Sequence, residues 1–156
     1  MNSKIKFPVL SEERVSIMQI TRQADYALRA MLFLARLEPG QRAATSQIAE
    51  DQEIPPSFLA KIISQLSIAG LIHTSRGARG GVSLARKVED VSLLDVVEAI
   101  DGPITLNECT QDPDACSFGE SCPIHKVWCE TQAELVRKLK AATFDKLLED
   151  EKQKSK

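Results

Sequence analysis

The 156-residue chain has no long apolar run: its most hydrophobic stretches are broken by polar or charged side chains within a few residues. That excludes a membrane-spanning helix, and the N-terminus lacks the continuous apolar segment of a secretion signal. A cytoplasmic protein with no membrane partner is therefore expected. Cysteine is absent before position 109 and after position 129, so no disulfide framework ties distant parts of the chain together, and thiols in that compartment stay reduced. Lys and Arg are absent between Val88 and His125, which excludes that stretch from facing phosphates. There is no internal repeat, and no second set of cysteines for a further cluster. The hydrophobic fraction of 43% still suffices for one domain with a real core and an extra element or two.

What is present divides in two. The net charge of −2 conceals an asymmetry: from Ile20 to Arg86, eight Arg and Lys stand against five Asp and Glu, whereas from Lys87 to Lys156 nine stand against fifteen. The basic half is the candidate nucleic-acid face. Within it, Thr21 caps a helix in which Ala24, Ala27, Leu28, Met31, Leu34 and Ala35 recur at helical spacing until Pro39-Gly40 stops the run. Thr45 or Ser46 can cap a second, short helix through about Glu53, with Ile48 and Ala49 inward. Pro56 suits the first turn of a third helix, whose buried stripe is Leu59, Ile62, Ile63 and Leu66.

The third helix leaves Ser57, Ala60, Lys61 and Ser64 on its other face, which makes the pair a helix-turn-helix pattern with its second helix as the major-groove reader. Two β-type runs, Leu71 to Thr74 and Val82 to Ala85, flank Ser75-Arg76-Gly77-Ala78-Arg79-Gly80-Gly81 and read as a hairpin wing. Its three glycines are expected to let the backbone approach another chain closely. Taken singly, each feature has a plain structural reading: a helical hairpin, a solvated loop, surface arginines. Their conjunction with local positive charge favours DNA, with Lys61, Arg76 and Arg79 on phosphates or groove edges and Ser57 and Ser64 near bases.

Ser92 caps a fourth helix carrying Leu93, Leu94, Val96, Val97 and Ile100, which Asp101-Gly102-Pro103 ends. Cys109, Cys116 and Cys122 follow in a loop of turn residues and carboxylates (Glu108, Asp112, Asp114, Glu120), and then come His125 and Cys129. Such crowding of thiols suits ligation better than packing. A zinc site of three cysteines and a histidine is one alternative, but structural zinc ligands usually come in pairs two to four residues apart, and only Cys122 and His125 do so. The wider spacings suit a centre with several irons. A metal-free redox switch is the third reading, and an iron–sulfur electron carrier a fourth that leaves the Arg/Gly wing unexplained. From about Ile124 to Glu149 a last helix carries Val127, Trp128, Leu135, Leu139, Ala142, Leu147 and Leu148, longer than this core needs, which implies a second subunit.

The run Met18-Gln19-Ile20-Thr21-Arg22-Gln23-Ala24-Asp25-Tyr26-Ala27-Leu28-Arg29, the segment Ile54 to Leu66, the wing Arg76 to Gly81 and the cysteine loop together resemble the iron–sulfur transcription regulators typified by IscR and NsrR. The resemblance runs from Met18 to about Leu148. It implies a mainly α, winged helix-turn-helix homodimer with a β-hairpin wing and a long C-terminal dimerisation helix. It also implies a non-enzymatic repressor that binds double-stranded promoter DNA under control of an iron–sulfur cluster, usually 2Fe-2S. Cys109, Cys116 and Cys122 match the family's three cysteine ligands. For the fourth ligand, His125 stands where the iron–sulfur assembly regulators place a histidine, and Asp25 where the nitric-oxide-sensing members use a carboxylate of the partner subunit. Cys129 fits neither pattern but lies one helical turn past His125, facing the same way. The order of expectation is His125, Cys129, Asp25. The expected organisation is an N-terminal extension at 1–17, a winged helix-turn-helix domain at 18–104, a cluster-binding loop at 105–124, a dimerisation helix at 125–149 and a charged tail at 150–156.

Overall fold

Helix α1 (Arg22–Ala35) forms the spine of the structure, a computed structural model that describes residues 20–154. The extension expected at 1–17 lies outside the described residues. Thr21 caps α1 as expected, its Oγ1 accepting the Ala24 N–H at 3.1 Å. Ala24, Ala27 and Ala30 are fully buried, and their small side chains let α3 (Pro56–Ile68) and α4 (Leu93–Asp101) pack closely on α1. Met31, Ile48, Leu59, Ile62, Leu66 and Val96 fill the space between.

Helix α2 (Thr45–Asp51) starts without the expected side-chain cap: its N-cap is Ala44, and neither Thr45 nor Ser46 caps it. The wing supplies the reason. Ala43 exchanges backbone hydrogen bonds with Val82 (2.9 and 2.8 Å), and that pairing aims the chain into α2. Strands β1 (Ile72–Ser75) and β2 (Gly81–Leu84) form a two-stranded antiparallel sheet in register Ile72↔Leu84 to Ser75↔Gly81. Two of the three wing glycines serve this closure and not an approaching partner. A Cβ at Gly80 would lie 2.4 Å from the Ser75 carbonyl oxygen, and one at Gly81 2.7 Å from that of Ala43. Gly77, at φ +101°, faces open space.

Ser92 and Asp95 form a reciprocal capping box at the start of α4, and Gly102 ends it. Three short 3-10 turns, Glu108–Thr110, Pro113–Ala115 and Gly119–Ser121, then carry the cysteine loop to α5 (Pro123–Ala141). The single last helix expected at 125–149 is in fact two, because α6 (Phe144–Lys154) follows a break at Ala142-Thr143. Leu93 N–H donates to Ala142 O (2.9 Å) and Phe144 N–H to Val91 O (3.0 Å), so these backbone groups pair across the chain instead of along a helix. Phe144, 1% exposed, is thereby driven into the core. The expected charged tail is helical through Lys154, held by Glu151 against Arg36, the residue that follows α1 (Nε to Oε2, 3.0 Å).

Candidate nucleic-acid interface and cysteine loop

The basic half presents its expected residues to solvent. Ser57, Lys61 and Ser64 are exposed along α3, opposite the buried Leu59, Ile62, Ile63 and Leu66. Arg76 and Arg79 are exposed in the loop joining β1 to β2. Helix and wing are braced from below. Gln23 of α1 donates to Gln65 of α3, and Arg42 Nη1–H reaches the Arg79 carbonyl at 3.4 Å. Arg29 bonds Asp25 of its own helix (3.0 Å) and the Gln52 carbonyl at the end of α2 (3.2 Å), with its guanidinium 4.9 Å from the centre of the Tyr26 ring. Tyr26 in turn stands edge-on to Phe58 of α3 at 6.2 Å. Phe58 is 48% exposed beside Ser57, an aromatic on the outward face that the spacing of serines and lysine had hidden.

The cysteine loop is built differently. Cys109 sits in the first 3-10 turn, Cys116 ends the second, and Cys122 ends the third while serving as N-cap of α5. All four cysteines are half-buried and free of disulfides. Cys129 and His125 are brought together on α5, Sγ to Nε2 3.5 Å. Asp25 is engaged with Arg29 on α1. Among the described residues, no group of three or more His, Cys, Asp or Glu side chains converges as a metal site. The donor set nevertheless fits an iron–sulfur centre in kind, since thiols and an imidazole are what such clusters take. Bringing three of them to one centre requires the loop to close.

Two side-chain attachments that spacing could not reveal hold the first part of this loop, one to α1 and one to α5. The Asp101 carboxylate, at the end of α4, accepts the Thr21 backbone N–H at 3.1 Å and the Thr21 hydroxyl at 2.6 Å, so the chain entering the loop is tied to the head of α1. Gln132 of α5 accepts the Leu106 N–H at 2.9 Å, and its Oε1 lies 2.7 Å from the Thr110 hydroxyl. Beyond the loop, α5 has no buried residue, and Ile124, Val127 and Trp128 are exposed on it.

The chain matches the family described as Rrf2, iron-dependent transcriptional regulator, over residues 20–150. It is 33% identical over 127 residues to a helix-turn-helix-type transcriptional regulator of Mycobacterium tuberculosis strain H37Rv, a match covering 81% of this chain and 79% of that protein. CymR, the global cysteine regulator of B. subtilis, superposes with a TM-score of 0.71 at 24% identity, covering 84% of this chain and 96% of CymR. IscR of T. potens does so with 0.68 at 24%, covering 85% and 87%. At that identity the two structures establish the fold, a winged helix, and no more.

Proposed function

The chain belongs to the Rrf2 family of transcriptional regulators, and on that premise we propose that it is a homodimeric repressor whose hold on promoter DNA is governed by an iron–sulfur cluster, most simply 2Fe-2S, on the loop of Cys109, Cys116 and Cys122. The observation that carries this reading is where the loop is attached. It leaves α4 directly after Asp101, which grips Thr21 at the head of α1, and it enters α5, on which the apolar side chains of Ile124, Val127 and Trp128 stand exposed. A rearrangement of the loop is thus joined at one end to the DNA-binding domain and at the other to the face that fits a second copy.

In this reading Lys61, Arg76 and Arg79 neutralise phosphates or enter groove edges, and Ser57 and Ser64 offer hydrogen bonds near bases. Recognition helices in a dimer must meet half-sites roughly 34 Å apart, so a small change at the base of α5 alters how well both engage at once. Cys109, Cys116 and Cys122 would hold the cluster, with His125 as fourth ligand. When bound, it supplies a centre that responds to iron supply, redox state or nitric oxide. Protein purified without oxygen should be coloured, contain iron and acid-labile sulfide, and shift promoter DNA differently before and after iron chelation. Colourless protein, or DNA binding indifferent to chelation, overturns the proposal. A second reading is a thiol- or zinc-based repressor on the same fold, of which only the metal-free thiol form is favoured by cysteines that are separate from one another, since zinc needs the loop to close as iron does. Zinc in place of iron, or promoter binding that responds to thiol oxidation in iron-free protein, would select it.

A further inference from the structure

We propose that Gln132 is the positioning residue for Cys109, the pin by which the first cysteine turn is held to α5. The turn is fastened in two nested layers. At its base, Gln111 Nε2 donates to the Thr105 hydroxyl. One residue further in on each limb, Leu106 and Thr110 both meet the single Oε1 of Gln132, at 2.9 and 2.7 Å. Cys109 lies between these two attachment points. The Thr110 hydroxyl has one proton and two acceptors in reach, Asn107 O at 2.6 Å and Gln132 Oε1, whereas the Leu106 N–H is committed to Gln132. A side chain without an acceptor at position 132 therefore leaves a half-buried amide unsatisfied and frees one limb of the turn.

The placement on α5 gives this pin a purpose. His125, Cys129 and Gln132 follow one another at spacings of four and three residues, which puts them on one stripe of the helix, and all three are half-buried beside exposed Lys126, Glu130 and Thr131. The same face that carries the imidazole and the fourth thiol thus also holds the turn of Cys109, through a residue about two turns or ~10 Å along the axis from His125. Gln132 suits this place because its acceptor is neutral and carries no charge into a loop already rich in carboxylates. The inference deepens the reading of the loop as the sensing element, but thiol behaviour in metal-free protein tests it separately.

The experiment alkylates the full chain, purified with chelator and reductant, with iodoacetamide and follows each cysteine by peptide mass spectrometry, alongside hydrogen exchange at the Leu106 amide. Gln132→Leu should speed alkylation of Cys109 about fivefold or more while Cys116 and Cys129 stay within about twofold, and Leu106 should lose protection. Gln132→Glu keeps an acceptor oxygen at the same place and should return protection of the Leu106 amide to within about twofold of the parent chain; amide exchange is the readout for this variant, because its added charge acts on alkylation by itself. Thr110→Val, which removes only the loop's own hydroxyl, should move Cys109 in the same direction and serves if Gln132→Leu does not fold. Unchanged Cys109 alkylation in the folded variants overturns the proposal, and so does equal acceleration of all four thiols, which marks loosening of α5 as a whole. Iron content of the parent chain reports on the cluster reading independently, so either can fail alone.

Discussion

From Arg22 to Asp101, α1, α3 and α4 each bury a continuous stripe of side chains, and the groups that would meet DNA stand on the outer faces of that packing. From Thr105 to Ala141 the loop is held by a few side-chain hydrogen bonds, and α5 is at most half-buried along one stripe, with no fully buried residue among its 19. The first region is preformed: its site geometry follows from a close-packed core that tolerates little change. The second is tied down at its start, by Asp101 and by Gln132, and on the proposed reading its exposed apolar face would take a second subunit and its thiols a cluster. A regulator needs both kinds of construction, a rigid reader and a responsive joint, and here they adjoin at Asp101.

The largest expected effect breaks the comparison at the loop. Cys109→Ala, Cys116→Ala or Cys122→Ala should each abolish incorporation of iron and sulfide while leaving the thermal unfolding of the helical domain nearly unmoved, because these thiols add nothing to the core. Retention of a full cluster in any one variant would remove that cysteine from the ligand set. Phe144→Ala tests the opposite side. Deleting a fully buried aromatic should cost about 3–5 kcal/mol in chemical denaturation and release α6 from α1; a loss under about 1 kcal/mol would mean that the break at Ala142-Thr143 is not anchored by this ring.

Smaller effects sharpen the division. Arg76→Ala and Arg79→Ala should weaken DNA binding and flatten its salt dependence by roughly one unit of slope per lost phosphate contact. Loss confined to cognate DNA would instead place Arg76 in a narrow minor groove, and unchanged affinity in the double variant would reduce the wing to a solvated hairpin. At the fourth ligand, His125→Ala should leave a bound but labile cluster with an altered visible spectrum, and Cys129→Ala should change it little; the reverse pattern assigns Cys129. A response only to Asp25→Ala would bring the ligand from α1, with release of that carboxylate from its pair with Arg29.

The least effect concerns α6. The hydrogen-bonded Arg36 guanidinium holds the Glu151 carboxyl below its ordinary value of 4.5, and Glu151 holds Arg36 in its charged form. A carboxyl depressed on folding contributes stability that is full above its unfolded value and disappears as pH falls through the lower folded value. Denaturation midpoints of the parent chain and Glu151→Gln should therefore differ slightly at neutral pH and converge in acid. The pair is too exposed for more than a small difference. A constant gap across that range would assign the effect to packing.

Much of the first region was legible because its signals are local. Thr21 and Ser92 cap where a hydroxyl before an apolar stripe should cap, and the stripe of α3 is the one its spacing predicts. The wing's position followed from the two β-type runs, but the use of its glycines did not, since Gly81 is required by Ala43, a residue far away in sequence. The expected cap of α2 failed for a related cause: pairing of Ala43 with β2 sets the direction of the chain there and leaves Ala44, which has no acceptor side chain, at the N-cap. In the cysteine loop the residue types were plain, and the four-residue spacing of His125 and Cys129 already put them on one face, while the attachments through Asp101 and Gln132 depend on contacts that no spacing encodes.

Periodicity, capping residues and the concentration of thiols are properties of neighbours along the chain, and from these the amino-acid sequence by itself determined the helices of the winged domain, its outward basic face and the location of the cysteine loop. Where a residue's partner lies far along the chain, only the tertiary structure decided. Phe144 sits at helical spacing like any apolar residue of a long helix, and nothing local distinguishes it. It divides that helix because Val91 and Leu93 offer backbone partners and the core offers a hole of its size, and burying the ring there outweighs the helical hydrogen bonds given up.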